Sequence, residues 1–176
     1  MSLDTRELAR FGKSLEKLRG DIPSILEELV VGEGVYAVRQ ARDICKQDGI
    51  VNNGTYRMNF HAGDKAIIYD GEAPHDGSRP RRAGKAFKID IYNNLDYAKH
   101  LEYGFRSHFV PGYWEGHTFV YQPGFPGGMY VGPRGGFVQG HFTLLRALRR
   151  TQATQEARMG RKFNEIIKNR LGGEGS

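Results

Sequence analysis

Residues 104–137 place the tightest limit on what this chain can fold into. Those 34 residues hold nine glycines and nine aromatics: Phe105, Phe109, Tyr113, Trp114, Phe119, Tyr121, Phe125, Tyr130 and Phe137. Disordered linkers are poor in aromatics, so the composition argues against simple disorder. A structureless loop of more than about 15 residues is also uncommon inside a compact domain. Both facts are met by an aromatic and glycine-rich arm that orders against something. Short strands at 117–121 and 128–131 are expected within it.

Helical periodicity flanks this segment. Leu8, Phe11, Leu15 and Leu18 recur at spacings of three and four, which predicts a helix capped by Asp4 and ending near Gly20. Pro23 suits the first turn of a second helix, with Ile25, Leu26, Leu29 and Val30 as its apolar stripe. Gly32 and Gly34 then interrupt, and the helix either kinks or gives way to another near Gly34. Tyr36, Ala37, Ala41, Ile44 and Cys45 continue a helical face to about Gln47, and Asp48-Gly49 ends it. At the other end, Phe142, Leu145, Leu148, Met159, Phe163 and Ile166 predict a long helix from about Gly140, with a fraying tail.

Between the helices the period changes to two. Tyr56, Met58 and Phe60 alternate, as do Phe87, Ile89 and Ile91, and both runs read as antiparallel strands. A short run at 66–69 pairs with the first through a turn at 61–64, and 71–84 reads as a mobile loop. Asp96 caps a short helix over 97–103 that Gly104 stops. The expected fold is one α+β domain over residues 1–176. Helices over 1–49 and a long helix over 140–171 pack on a small antiparallel sheet within 50–103, and 104–139 forms the arm.

Composition closes off several classes. A single cysteine among 176 residues allows no disulfide within the chain. No apolar run approaches the ~20 residues that span a bilayer, and the charged first residues do not read as a signal peptide. Residues 1–49 carry net charge −1, residues 50–139 net +2 and residues 140–176 net +5. A basic C-terminal end suits nucleic acid or an acidic surface, although a solvated helix face is the plainer reading.

Reactive chemistry is poorly supported. Cys45 falls on an apolar helix face, where a thiol behaves as a small hydrophobe. His61, His75, His100, His108, His117 and His141 show no i, i+4 pair, and there is no cysteine pair for zinc. The glycine clusters within 124–136 match no phosphate-binding loop. Asp90 alternates to the wet face of its strand. Glu102, set among aromatics, needs a cation or N–H donors if buried, and Arg57 and Arg106 are the candidates. No enzyme, metal or cofactor is expected. The competing reading is a nucleic-acid-binding protein using Arg79, Arg81 and Arg82 together with Arg146, Arg149 and Arg150.

Two segments point further. Val51-Asn-Asn-Gly-Thr-Tyr-Arg-Met-Asn-Phe60 resembles the Val-x-Thr-Gly-x-Leu-Arg-x-Ser-Ile signature of the tail-completion, or head–tail joining, proteins of long-tailed bacteriophages. The segment Tyr97-Ala-Lys-His-Leu-Glu-Tyr-Gly104 is similar to that family's Tyr-Ala-x-x-x-Glu-x-Gly element. Phe137-Val-x-Gly-His-Phe142 resembles its approach to the last helix, where Ala147 also fits. The resemblance implies a structural protein of the virion neck or tail top, made in the host cytoplasm and assembled as a ring. Its implied partners are further copies of itself, a connector or stopper, and a tail terminator or tube, with non-specific contact to passing DNA and no membrane. Gly54, Arg57, Tyr97, Glu102 and Gly104 would be its structural signature. Phe109, Tyr113, Trp114, Phe119, Tyr121, Phe125 and Tyr130 are the expected subunit interface. The six arginines named above would face the lumen, DNA or an acidic partner.

Overall fold

A computed structural model describes residues 5–50, 54–63, 80–84 and 86–172. The expected Asp4 cap, the first three residues of the 51–60 signature, the 66–69 strand, Arg79 and the last four residues lie outside these. So does most of the expected 71–84 loop. The fold is α+β. Its elements in order are α1 (Thr5–Gln47), α2 (Thr55–Met58), β1 (Phe60–Gly63), β2 (Arg81–Ala83), β3 (Ala86–Lys88), β4 (Asp90–Asn93) and α3 (Ala98–Tyr103). They continue with β5 (Gly104–Arg106), β6 (His108–Glu115), β7 (Thr118–Tyr121), β8 (Gly128–Val131), β9 (Phe137–Gln139) and α4 (Thr143–Gly172). Length predicts one domain, but the chain divides into two compact units. One is Met1–Asn93 with Leu144–Ser176, and the other is Asn94–Thr143.

In the first unit α1 runs unbroken for 43 residues, about 65 Å at 1.5 Å per residue. The stop expected at Gly20 and the break expected at Gly32 or Gly34 are not there. Pro23 lies inside the helix, where it removes one hydrogen bond. Tertiary packing compensates: Ile25 and Leu29 are buried against Ile166 of α4, with Leu18, Met159 and Ile167 around them. Helices owe most of their stability to such packing and not to propensity. Gly34 has a different role from a break. It is buried, and a Cβ there would sit 2.7 Å from Ile89 Cδ1 and 3.2 Å from the Ala62 Cβ. The missing side chain lets the β1–β4 ladder approach α1.

Charge sets the register of α1 against α4. Arg170 pairs with Asp21 at 2.6 Å, Arg158 with Glu33, and Arg146 with Asp48 just beyond the end of α1. Ascending residues on one side meet descending residues on the other, so the two helices are antiparallel. The middle pair is the most enclosed, its side chains 17% and 12% exposed. Arg158 Nε donates to Glu33 Oε1 at 3.0 Å, a second N–H donates to Oε2, and another to the Thr151 carbonyl at 3.1 Å. The guanidinium also lies 3.7 Å from the Tyr36 ring centroid. The Glu33 hydrogen bond raises the Arg158 pKa above its ordinary value, against the opposing effect of burial.

The signature segment forms a turn of helix before it forms a strand. Gly54 sits at φ 81°, and its carbonyl accepts from the Met58 N–H at 3.0 Å. The Asn59 side chain donates to the Thr55 carbonyl at 2.8 Å and closes that turn. The alternation of Tyr56, Met58 and Phe60 therefore misleads. Tyr56 and Phe60 are also four apart, and they pack edge to face at 5.0 Å while Met58 is exposed. The strand begins at Phe60 and pairs antiparallel with β4, Phe60 opposite Asn93 and Gly63 opposite Asp90. Arg42 of α1 donates to the Phe60 carbonyl at 2.9 Å, tying the ladder to the helix. The expected 87–92 strand is interrupted at Ile89: β3 pairs with β2, and β4 with β1.

The second unit holds the segment in which an arm is expected. The structure has five strands there. β5 pairs with β9, and β6 lies between β7 and β8 in a three-stranded antiparallel sheet. The β7 and β8 positions agree closely with the expected short strands. Glycine and aromatics recur together because rings lie where a Cβ would otherwise stand. The Phe119 ring covers Gly112 at 2.8 Å from that position, and the Phe137 ring covers Gly104 at 2.7 Å. The helix expected over 97–103 forms as α3, but Tyr97 and not Asp96 takes the N-cap position, with no side-chain cap.

Urea or thermal unfolding reads three expected effects of this packing. Gly34→Val should destabilise by about 2 kcal/mol through overpacking. Gly32→Ala, where nothing lies within 4 Å, should stabilise by about 1 kcal/mol. Arg158→Met alone should cost about 3 kcal/mol by stranding the Glu33 carboxylate, and adding Glu33→Met should recover most of that loss.

Candidate functional site

The second and third segments of the resemblance meet in one place. Helix α3 ends at Gly104, whose backbone adopts φ 83°. From there β5 pairs with β9, Gly104 opposite Gln139 and Arg106 opposite Phe137. The chain leaving β9 then docks on the open end of α3. The His141 N–H donates to the Leu101 carbonyl at 2.8 Å, and the Phe142 N–H to the Glu102 carbonyl at 3.0 Å. Helix ends leave such carbonyls without intrahelical partners, so this closure satisfies α3. The approach is so close that a Cβ on Gly140 would stand 2.5 Å from the Gly104 nitrogen. Phe142 itself holds φ 50°, uncommon for a bulky residue.

The expected structural signature is thus partly assembled. Tyr97, Glu102 and Gly104 lie together on α3 and its cap, with Glu102 buried and Tyr97 exposed. Gly54 and Arg57 belong to the other unit, where Arg57 lies half-buried on α2 and not on a strand face. Arg106, the other cation considered for Glu102, is exposed on β5.

Six of the seven expected interface aromatics lie in the three-stranded sheet, and Phe125 lies between β7 and β8. Phe109 is opposite Tyr130, Trp114 opposite Phe119, and Gly112 opposite Tyr121. Alternation along β6 puts Phe109, Tyr113 and Tyr130 on one face and Trp114, Phe119 and Tyr121 on the other. Rings interlock across the strands. Phe109–Tyr130 centroids are 5.5 Å apart, Trp114–Phe119 5.3 Å, and Tyr113–Phe125 5.4 Å. Phe119 and Phe125 are half-buried. The other five remain exposed, Trp114 at 58% and Tyr121 at 62%. Arg134 lies over the Tyr130 ring at 4.9 Å.

A cavity of about 350 Å³ at the base of this unit has no counterpart in the sequence reading. Tyr97, His100, Leu101, Phe105, His108 and Val131 line it. Phe105 stands edge-on to both His100 and His108, at 5.8 and 6.2 Å. The signal was split between α3, β5, β6 and β8, so no local motif announces it.

The candidate cationic surface is largely engaged within the chain. Arg146 is paired with Asp48, and Arg150 donates to the Gln47 side chain at 2.9 Å. Arg81 lies 3.8 Å from Asp90, and Arg82 donates to the Gly84 carbonyl at 3.2 Å. Arg149 is exposed on α4. Cys45 is fully buried, as its helix face predicts. Among the described residues no three His, Cys, Asp or Glu side chains gather to hold a metal ion, and no helix is long and apolar enough to cross a membrane. No family model matches the chain, and neither a curated protein nor a solved structure matches it.

The junction at α3 gives a direct test. Gly104→Ala forces a side chain into a positive-φ site already occupied by the Phe137 ring and β9 backbone, and should cost about 3 kcal/mol. Gly124→Ala, also at positive φ but with nothing within 4 Å, should cost about 1 kcal/mol. Unfolding midpoints of the two variants check the difference.

Proposed function

We propose that this chain is a structural component of a bacteriophage neck or tail. Its subunits join into a ring that completes the tail or connects it to the head. The observation that carries the reading is the β7–β6–β8 sheet, which keeps aromatic side chains exposed on both faces. An antiparallel sheet commonly packs one apolar face on a core and turns a polar face to water. Here β6 reads Phe-Val-Pro-Gly-Tyr-Trp, a run suited to cover on both sides. Repeated contact between subunits supplies such cover, and heterologous contacts that close generate rings.

Two further features support the assignment to a neck or tail. The chain runs from a long helix through short antiparallel ladders to a second long helix, and the three segments of the resemblance fall along it in that order. The α3 element and the approach to α4, which resemble the family in sequence, are joined by backbone hydrogen bonds at Gly104 and Gly140. The reading requires no reacting group. Arginines exposed on α4, such as Arg149, would then meet passing DNA as a lumen lining.

Electron microscopy and light scattering of the purified protein test this. Closed rings are expected, with a mass that is a whole multiple of 19.8 kDa. A protein that stays monomeric at high concentration, and binds duplex DNA with a steep salt dependence, would overturn it.

A further inference from the structure

We infer that the subunit contact is a stack of unlike sheet faces: the Phe109, Tyr113 and Tyr130 face of one copy lies on the Trp114, Phe119 and Tyr121 face of the next. This rests on the ring reading above and names the surfaces that make the ring. Three observations lead to it.

First, register and alternation fix the composition of both faces. The face of Trp114 also carries His108, Val110, Met129 and Val131, and no Asp, Glu, Lys or Arg. The opposite face carries Pro111 and Val120, with Glu115 at the strand end and Arg134 on the Tyr130 ring. The central strand β6 presents no charge on either face before Glu115 at its end, and the Arg134 guanidinium, over Tyr130 on the edge strand β8, falls at the margin of its face, where a charge stays hydrated.

Second, the exposed area is of the right size. A large aromatic side chain buries about 150–250 Å² when fully covered. Phe109, Tyr113, Trp114, Tyr121 and Tyr130 are each between 36% and 62% exposed. The five together leave on the order of 500 Å² of aromatic surface in water. Stacking one face of each of two copies consumes all five kinds of residue at every joint. That is a sufficient apolar centre for an interface of about 1,600 Å² whose remainder is rim.

Third, symmetry chooses between like and unlike pairing. A two-fold contact would join one face to its own copy and leave the other face of both subunits wet. Unlike pairing covers both faces of every subunit with one repeated contact. Aromatic pairs across the joint keep the offset or edge-on geometry already present within the sheet.

Two double variants and their mixture test the inference, with mass read by light scattering. Tyr113→Ser with Tyr130→Ser spoils one face, and Trp114→Ser with Tyr121→Ser spoils the other. All four residues are exposed, so each variant should keep the helical far-UV circular dichroism of the wild type. Each variant alone should be monomeric, its assembly concentration raised roughly 30-fold or more. An equal mixture should form a dimer of about 40 kDa and stop there, because each variant retains one sound face and it fits only the other. A variant that had failed to fold could not rescue its partner. If either variant alone still forms dimers, the contact is like-to-like and the inference falls. If both variants form wild-type rings, the ring reading survives and the sheet is not the joint. If the wild type is monomeric, the ring reading fails and takes the inference with it.

Discussion

Close approach of backbone to backbone, and of ring to backbone, is the constraint on which both units depend. The chain spends its 24 glycines unevenly, but the buried ones share this role. Gly34 admits Ile89 and Ala62 to the surface of α1. Gly104 and Gly140 let the end of α3 and the end of β9 pass within backbone contact. Gly112 provides the floor for the Phe119 ring. An added Cβ at Gly104, Gly112 or Gly140 would meet main-chain atoms, and one at Gly34 would meet the Ile89 and Ala62 side chains. The aromatic and glycine bias of 104–137 is therefore one feature and not two. Phe137, Phe119, Phe125 and Phe109 lie against the positions that Gly104, Gly112, Gly127 and Gly128 leave open.

Charge plays the corresponding part where side chains are long. The C-terminal basic excess suggests a partner when it is counted along the sequence. Folded, Arg146, Arg158 and Arg170 answer Asp48, Glu33 and Asp21, and the antiparallel register of α1 and α4 follows from those pairs. Exposed ion pairs add little stability. The Glu33–Arg158 pair differs because it is shielded, doubly hydrogen-bonded and backed by Tyr36. It stands next to the apolar contact of Leu29 with Ile166 and specifies which helical turns meet.

Much of this fold was legible because periodicity survives folding. The burial of Ile25, Leu29, Ala37, Ala41, Ile44 and Cys45 on α1, the short helix before Gly104, the strands β7 and β8 and the length of α4 follow from spacing, whereas Leu15, Leu26, Leu145, Leu148 and Phe163, expected on the same apolar faces, are exposed. The errors have definite causes. Gly20 reads as a stop, Pro23 as a new first turn, and Gly32 and Gly34 as an interruption, yet packing of Ile25 and Leu29 on α4 outweighs a lost hydrogen bond and glycine's low propensity. Tyr56 and Phe60 satisfy a spacing of two steps along a strand and of four along a helix, and Gly54 with Asn59 decides for the helix. The aromatic segment read as an arm because its strands lack the polar alternation that marks a sheet with one wet face. The cavity beside His100 and His108 draws on four elements, and its lining is set by tertiary placement that no window of sequence contains.

The two units differ in what satisfies them. In the α1–α4 unit, acids meet arginines, a buried aliphatic cluster joins the helices, and α1 covers a face of the β1–β4 ladder. Large aliphatic side chains stay exposed on these helices too, among them Leu15, Ile22, Leu26, Leu145 and Leu148. In the other unit the Leu101 and Glu102 carbonyls and the β5–β9 ladder find partners, and the exposed apolar side chains are aromatic and gather on both faces of one sheet. Exposed aromatics on both faces of one sheet oppose solubility and add nothing to a lone subunit. Their cost is offset only when something covers them. Two unlike faces on one rigid sheet, each without a central charge, fit the two sides of a repeated contact. The same asymmetry that leaves the isolated sheet incomplete gives an assembly its direction, because each added copy brings one covered face and one face still to be covered.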